Sequence, residues 1–243
     1  MAIQDVLPPL IDDRDGIDGA AHDRVHRFGS SERFLHWWIV VMFASALLTG
    51  VAMGDEAESG SLLKVHIGSV VLIGVGIAIA LIFGNTMAIL RSAKDLFFFD
   101  RIDLAFVVNT VRHPGHPGHV RWGKFNVGQK ILAWSLVGSL AAVVVTGMNS
   151  WSAGEGAAGP HAAAVVVTLA LLSAHVFMAV INPSTRPALP GMVFGHVRRS
   201  WAAKHHSAWL EDADRRHFDK AVTAHVGSGR KSGPASERDL SNG

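Results

Sequence analysis

The chain has no cysteine among its 243 residues. Disulfides, iron–sulfur clusters and thiolate zinc sites built from its own side chains are therefore excluded, and any metal it binds must be held by histidine. Charge is also missing from several long stretches, each about long enough to cross a bilayer. The first 33 residues lack the apolar core of a signal peptide and read as a polar tail. No internal repeat stands out, and the net charge of +2 says little as a total.

What is present is apolar: 49% hydrophobic residues and a mean hydropathy of +0.28 indicate an integral membrane protein. Four spans are predicted, at about 34–53, 62–83, 131–151 and 161–181. The fold expected is an all-α four-helix membrane bundle of residues 32–182, between a polar tail at 1–31 and a cytoplasmic tail at 183–243. Leu96 to Val111 is too charged to span and predicts one amphipathic helix on the cytoplasmic surface. Trp37 and Trp38 open the first span where amphipathic rings favour an interface, and Gly68, Gly74 and Gly76 allow close approach along the second. Lysine and arginine precede span one, join spans two and three, and follow span four, which puts both termini in the cytoplasm by the positive-inside rule.

Fourteen histidines are many for this length, and four fall in or at the mouth of apolar runs: His36, His66, His161 and His175. An ionisable residue inside a span is a functional signal, because burying it in lipid is costly. On span four His161 and His175 are fourteen residues apart, which on a helix means about 21 Å along the axis and about 40° around it. Parity places His66 at the depth of His161, near the outer face, and His36 at the depth of His175, near the inner one. One four-histidine zinc site is excluded by that separation. Two bis-histidine centres remain, and in a cysteine-free apolar bundle the group that takes two axial imidazoles is haem. A haem-free transporter with a histidine path is the competing reading.

Other features invite simpler accounts. Asn126 alone reads as a helix N-cap, and Lys124 and Lys130 as positive-inside anchors. His113, His116 and His119 lie in a repeated His-Pro-Gly loop, more irregular turn than metal clip. His205-His206 reads as part of a basic exposed surface, and Phe97 to Phe99 as an interfacial anchor.

From Glu32 to Trp209 the chain resembles the cytochrome b (gamma) subunit of respiratory formate dehydrogenases. The resemblance is carried by ER-F-LHWW, by Lys124-Phe-Asn126-Val-Gly128-Gln129-Lys130, by the His161 to His175 interval, and by G191-M-x-x-G195 through W201-A-x-K204-H205-H206 to W209. The histidine layout alone is similar to membrane subunits of hydrogenases and thiosulfate reductases, so a hydrogenase or another molybdoenzyme is the alternative partner. The resemblance implies two b haems, an outer one on His66 and His161 and an inner one on His36 and His175. It also implies a menaquinone or ubiquinone site beside His175 that includes Asn126, with Gly128 for close backbone approach and Gln129 as further candidates from the same motif, and no formate site in this chain. The partners implied are an iron–sulfur (beta) subunit, a molybdenum or tungsten catalytic (alpha) subunit beyond it, and bacterial inner-membrane lipid. No nucleic acid is among them, and a higher oligomer of the complex is compatible with it.

Overall fold

The computed structural model describes residues 23–53, 60–113, 120–153 and 158–229. His116 and His119, the tips of both short hairpin loops and the chain ends beyond 23 and 229 lie outside the described residues.

Four long helices are apolar enough to span a membrane. They are α1 (Ser30–Met53), α2 (Gly60–Phe83), α5 (Val127–Ala153) and α6 (Ala158–Val176), the last continued by a π-helical turn at Phe177–Ile181. Each begins two to four residues before its apolar run. At the start of α1 the Glu32 carboxylate accepts from Gly29 N at 2.6 Å, half of a capping box. The helices pair as two hairpins, α1 on α2 and α5 on α6, with close backbone packing within each hairpin and little between them. Most span residues are exposed, as expected of surfaces that meet lipid or a cofactor rather than each other.

Within the first hairpin the Trp38 indole lies over Gly76 and donates to Leu72 O at 2.7 Å; a Cβ at Gly76 would meet that ring at 2.1 Å. Gly68 and Gly74 have no such neighbour within 4 Å. Trp38 is thus a helix-to-helix wedge rather than an interface anchor. Trp37 donates to Met192 O at 3.2 Å and ties span one to the C-terminal segment.

The single amphipathic helix expected at 96–111 is instead divided between α3 (Thr86–Phe97) and α4 (Arg101–Arg112). Asp100 caps α4 in a reciprocal box with Asp103, which starts a new helix. The carbonyls freed at the break are taken by α5, since Trp134 donates to Phe97 O at 2.9 Å and Lys130 to Phe98 O at 3.1 Å. Phe98 and Phe99 stay exposed beside it.

The polar ends are not simple tails. β1 (Arg24–His26) pairs antiparallel with β2 (His196–Arg198), Val25 opposite Val197. The preceding helix α7 (Leu189–Phe194) ends on Gly195 at φ 91°, a left-handed position that favours glycine. Helices α8 (Arg199–His205) and α9 (Ser207–Gly229) follow. Val25, Val197, Trp201, Ala202, Trp209 and Leu210 form a water-soluble kind of core that caps one end of the bundle. The physical reason is alternation: both three-residue strands turn their central valine inward.

Candidate electron-transfer site

The four intramembrane histidines meet as two pairs, both across the space between the hairpins. His66 of α2 and His161 of α6 have ring centres 6.3 Å apart near the hairpin loops. His36 of α1 and His175 of α6 have ring centres 6.2 Å apart at the cap end. A metal–imidazole bond is about 2 Å long, so two imidazoles sharing one metal between them put their ring centres about 6 Å apart. Both pairs meet that spacing. No group of three metal-ligating side chains converges among the described residues, which leaves two-imidazole ligation as the available geometry.

At the hairpin end the ring orientation is fixed by hydrogen bonds. His66 Nδ1 is 2.8 Å from Ala46 O on α1, and His161 Nδ1 is 3.0 Å from Val143 O on α5. A carbonyl only accepts, so each Nδ1 is the donor and each Nε2 is left with its lone pair, the form that ligates a metal. Thr49 Oγ1 stands 3.5 Å from His66 Nδ1, and Thr146 Oγ1 stands 3.4 Å from His161 Nδ1. These threonines escaped sequence inspection, although the chain's two Thr-Gly steps, 49–50 and 146–147, were visible.

At the cap end neither His36 nor His175 has a hydrogen-bond partner among the described residues. His36 packs edge-on against Trp37 at 5.5 Å. The helix carrying His175 widens into the π turn immediately after it, with Asn182 N donating to Phe177 O at 3.0 Å. Pro183 has no N–H to offer Met178 O in the same pattern, and the Thr185 hydroxyl takes that carbonyl instead.

One turn before His36 on the same helix face, Glu32 anchors a half-buried polar cluster. Lys124 Nζ is 3.0 Å from its carboxylate and 2.5 Å from Ser92 Oγ, and the Ser92 hydroxyl bonds Glu32 as well. Burial pushes the Lys124 ammonium below its usual range, and the Glu32 charge pulls it back. Lys130 likewise bonds buried Asp103. Neither lysine is the surface anchor expected; both are internal ion pairs that hold the α2–α5 connection to the bundle.

Asn126 and Gln129 exchange hydrogen bonds: Gln129 N donates to Asn126 Oδ1 at 2.9 Å and Asn126 N to Gln129 Oε1 at 3.0 Å. That is a capping box at the start of α5. It occupies the Asn126 carbonyl oxygen and leaves its Nδ2 without a partner among the described residues. Gly128 is exposed beside it.

His206 is not exposed but is sealed in the cap, with Nδ1 2.8 Å from Gly123 O. Burial first, and the Arg27 charge second, push its pKa down to about 3. Arg27 is itself buried and donates to Lys124 O at 2.6 Å. Its guanidinium lies within about 6 Å of the ring centres of Phe28, Phe125, Trp201 and Trp209. Nε and Nη1 have no hydrogen-bond partner among the described residues, and desolvation lowers the Arg27 pKa to about 10. The guanidinium thus joins β1, the Lys124–Phe125 segment and the C-terminal helices at one point.

Comparison with known proteins places these features in a family. The chain is 24% identical over 207 residues to the cytochrome b556(Fdn) subunit of the nitrate-inducible formate dehydrogenase of Escherichia coli, covering 76% of this chain and 89% of that one. It is 26% identical over 223 residues to a formate dehydrogenase cytochrome b556 subunit of Haemophilus influenzae, covering 78% and 83%. With the cytochrome b556(fdo) subunit of E. coli it shares 23% over 212 residues, covering 78% and 93%. The prokaryotic cytochrome b561 profile matches residues 27–195, a stretch that holds all four spans and both histidine pairs. This multi-pass membrane protein, whose paired imidazoles suit haem b, belongs to the prokaryotic cytochrome b561 family.

Proposed function

We propose that this chain is the membrane cytochrome b subunit of a formate dehydrogenase, carrying electrons from an iron–sulfur subunit through two b haems to a quinone. The observation that supports it is the pairing itself: His66 with His161 and His36 with His175, each at the ring spacing that one shared iron requires. Haem held by His66 with His161 and by His36 with His175 would supply reversible one-electron transfer.

The chain's own residues divide the remaining work. His66 and His161 hold the centre that meets the electron donor, and His36 and His175 hold the one that meets the quinone. Asn126 Nδ2 is the donor available to a quinone carbonyl, its oxygen being committed to the helix cap. Gly128 keeps the approach open, and Gln129 braces Asn126. The basic cap faces the cytoplasm, and the hairpin loops, which carry Asp55, Glu56, Glu58 and Glu155 but no lysine or arginine, face outward. The membrane is the bacterial inner membrane, and a molybdenum or tungsten subunit beyond the iron–sulfur partner oxidises formate. Relatives at this level of identity that are formate dehydrogenase subunits favour formate over hydrogen.

The test is isolation of the intact complex, with subunit identification and haem quantification. Two haems per chain with a low-spin bis-imidazole spectrum, and a formate-oxidising partner, are expected. A colourless chain would overturn the reading, and a hydrogenase partner would move it to the alternative.

A further inference from the structure

Thr-Gly occurs at two places in the chain, and both lie against a histidine of the hairpin-end pair. The Thr49 hydroxyl donates to Ser45 O at 2.7 Å and Ala46 O at 3.0 Å. The Thr146 hydroxyl donates to Ala142 O at 2.6 Å and Val143 O at 3.2 Å. A hydroxyl has one proton, so what each threonine turns to the nearby imidazole is a lone pair. Each Nδ1–H therefore faces two oxygens, a backbone carbonyl and a threonine Oγ1. The glycine that follows completes the seat. A Cβ on Gly50 would stand 3.3 Å from His66 Cε1, and one on Gly147 would stand 3.1 Å from His161 Cε1.

Hydroxyls in apolar helices commonly bond their own backbone. That habit explains the threonine donors, but not why the same four-residue arrangement sits under both histidines of one pair and neither of the other. We infer that Thr49-Gly50 and Thr146-Gly147 are positioning residues that hold both hairpin-end imidazoles Nδ1-protonated against oxygen, and so set that centre at a lower reduction potential than the cap-end centre. The inference rests on the bis-histidine haem reading above. An N–H drawn toward oxygen makes the opposite ring nitrogen the stronger electron donor, and a stronger donor favours the oxidised metal. Among the described residues His36 and His175 have no such partners. Electrons entering at the hairpin end then run downhill toward the cap.

The test is an optical redox titration of the intact haem-loaded complex. The component lost in His66→Ala identifies the hairpin-end centre. In Thr49→Val and Thr146→Val that component is expected to become easier to reduce, by severalfold in reduced-to-oxidised ratio at fixed potential, and more so in the double variant. A tenfold change corresponds to about 59 mV for one electron. The cap-end component stays put, and Thr49→Ser and Thr146→Ser behave as the parent. Equal shifts in both components, no shift in the double variant, or failure of serine to restore the parent value would overturn the inference while leaving the haem reading intact. A parent protein without two low-spin components would instead overturn that reading and this inference together.

Discussion

The two histidine pairs have nearly the same ring spacing, 6.3 Å at the hairpin end and 6.2 Å at the cap end, yet they are held differently. At the hairpin end the two histidines come from corresponding positions of the two hairpins, each seated on its partner helix by a carbonyl, a threonine and a glycine. At the cap end they come from α1 and α6, which are not counterparts. Span two has Ala80 at the register of His175, and span three has Ala133 at the register of His36. Those rings have no hydrogen-bond anchor among the described residues. They lie instead between a π turn and the Glu32–Ser92–Lys124 cluster. An electron relay gains from two fixed imidazoles and needs no motion. On the function proposed above, the cap end would hand electrons to a proton-consuming acceptor, and the polar groups such a step needs are concentrated there.

The largest expected effect comes from removing one ligand of each pair. His175→Ala should drop haem content from two per chain to one and abolish quinone reduction, while His161→Ala should remove the hairpin-end component and spare the cap-end spectrum. Haem extraction with redox titration checks both; one indistinguishable spectrum from the two variants would break the contrast.

Next in size, Glu32→Ala strands Lys124 in a mostly buried position and should cost about 3 kcal/mol, as when one partner of a buried pair is deleted. The thermal midpoint of the purified complex reads this out. The cap-end component should broaden before the hairpin-end one, because Glu32 lies one turn from His36.

The cap should also respond to acid. With the folded His206 pKa pushed down to about 3 from 6.5, the unfolded state binds the extra proton between those values. Stability contributed by neutral His206 is therefore full above about pH 6.5 and declines as pH falls toward about 3. Tryptophan fluorescence, reporting Trp201 and Trp209, should loosen in that window, and His206→Gln should flatten the dependence.

The smallest effect separates two roles of one residue. Asn126→Asp keeps the oxygen that caps α5 but removes Nδ2, so the thermal midpoint should hold while the KM for quinone rises by about tenfold, the worth of about 1.4 kcal/mol. Asn126→Ala should lose the cap as well, at about 1 kcal/mol of stability. Equal KM in parent and Asn126→Asp would remove Asn126 from the quinone site.

The spans were legible because lipid imposes length and apolarity on each helix separately. The pairing of His66 with His161 and of His36 with His175 followed from parity and depth, quantities that one dimension contains. The rest depended on contacts between segments far apart in sequence. Nothing local distinguishes Lys124 and Lys130 from surface anchors until Glu32 and Asp103 are brought to them. Nor did His205-His206 announce that one imidazole would be sealed against Gly123 O. The Thr-Gly steps were present as letters, but their meaning lay in which side chain crosses from the neighbouring helix.

By itself the sequence determined four spans, two depths and the histidine at each, since hydropathy and helical rise act residue by residue. Tertiary structure alone decided that the polar ends fold into a cap, that a buried guanidinium joins its parts, and that only one histidine pair is seated on Thr-Gly. Those outcomes rest on hydrogen bonds and desolvation between distant segments, which no local pattern encodes.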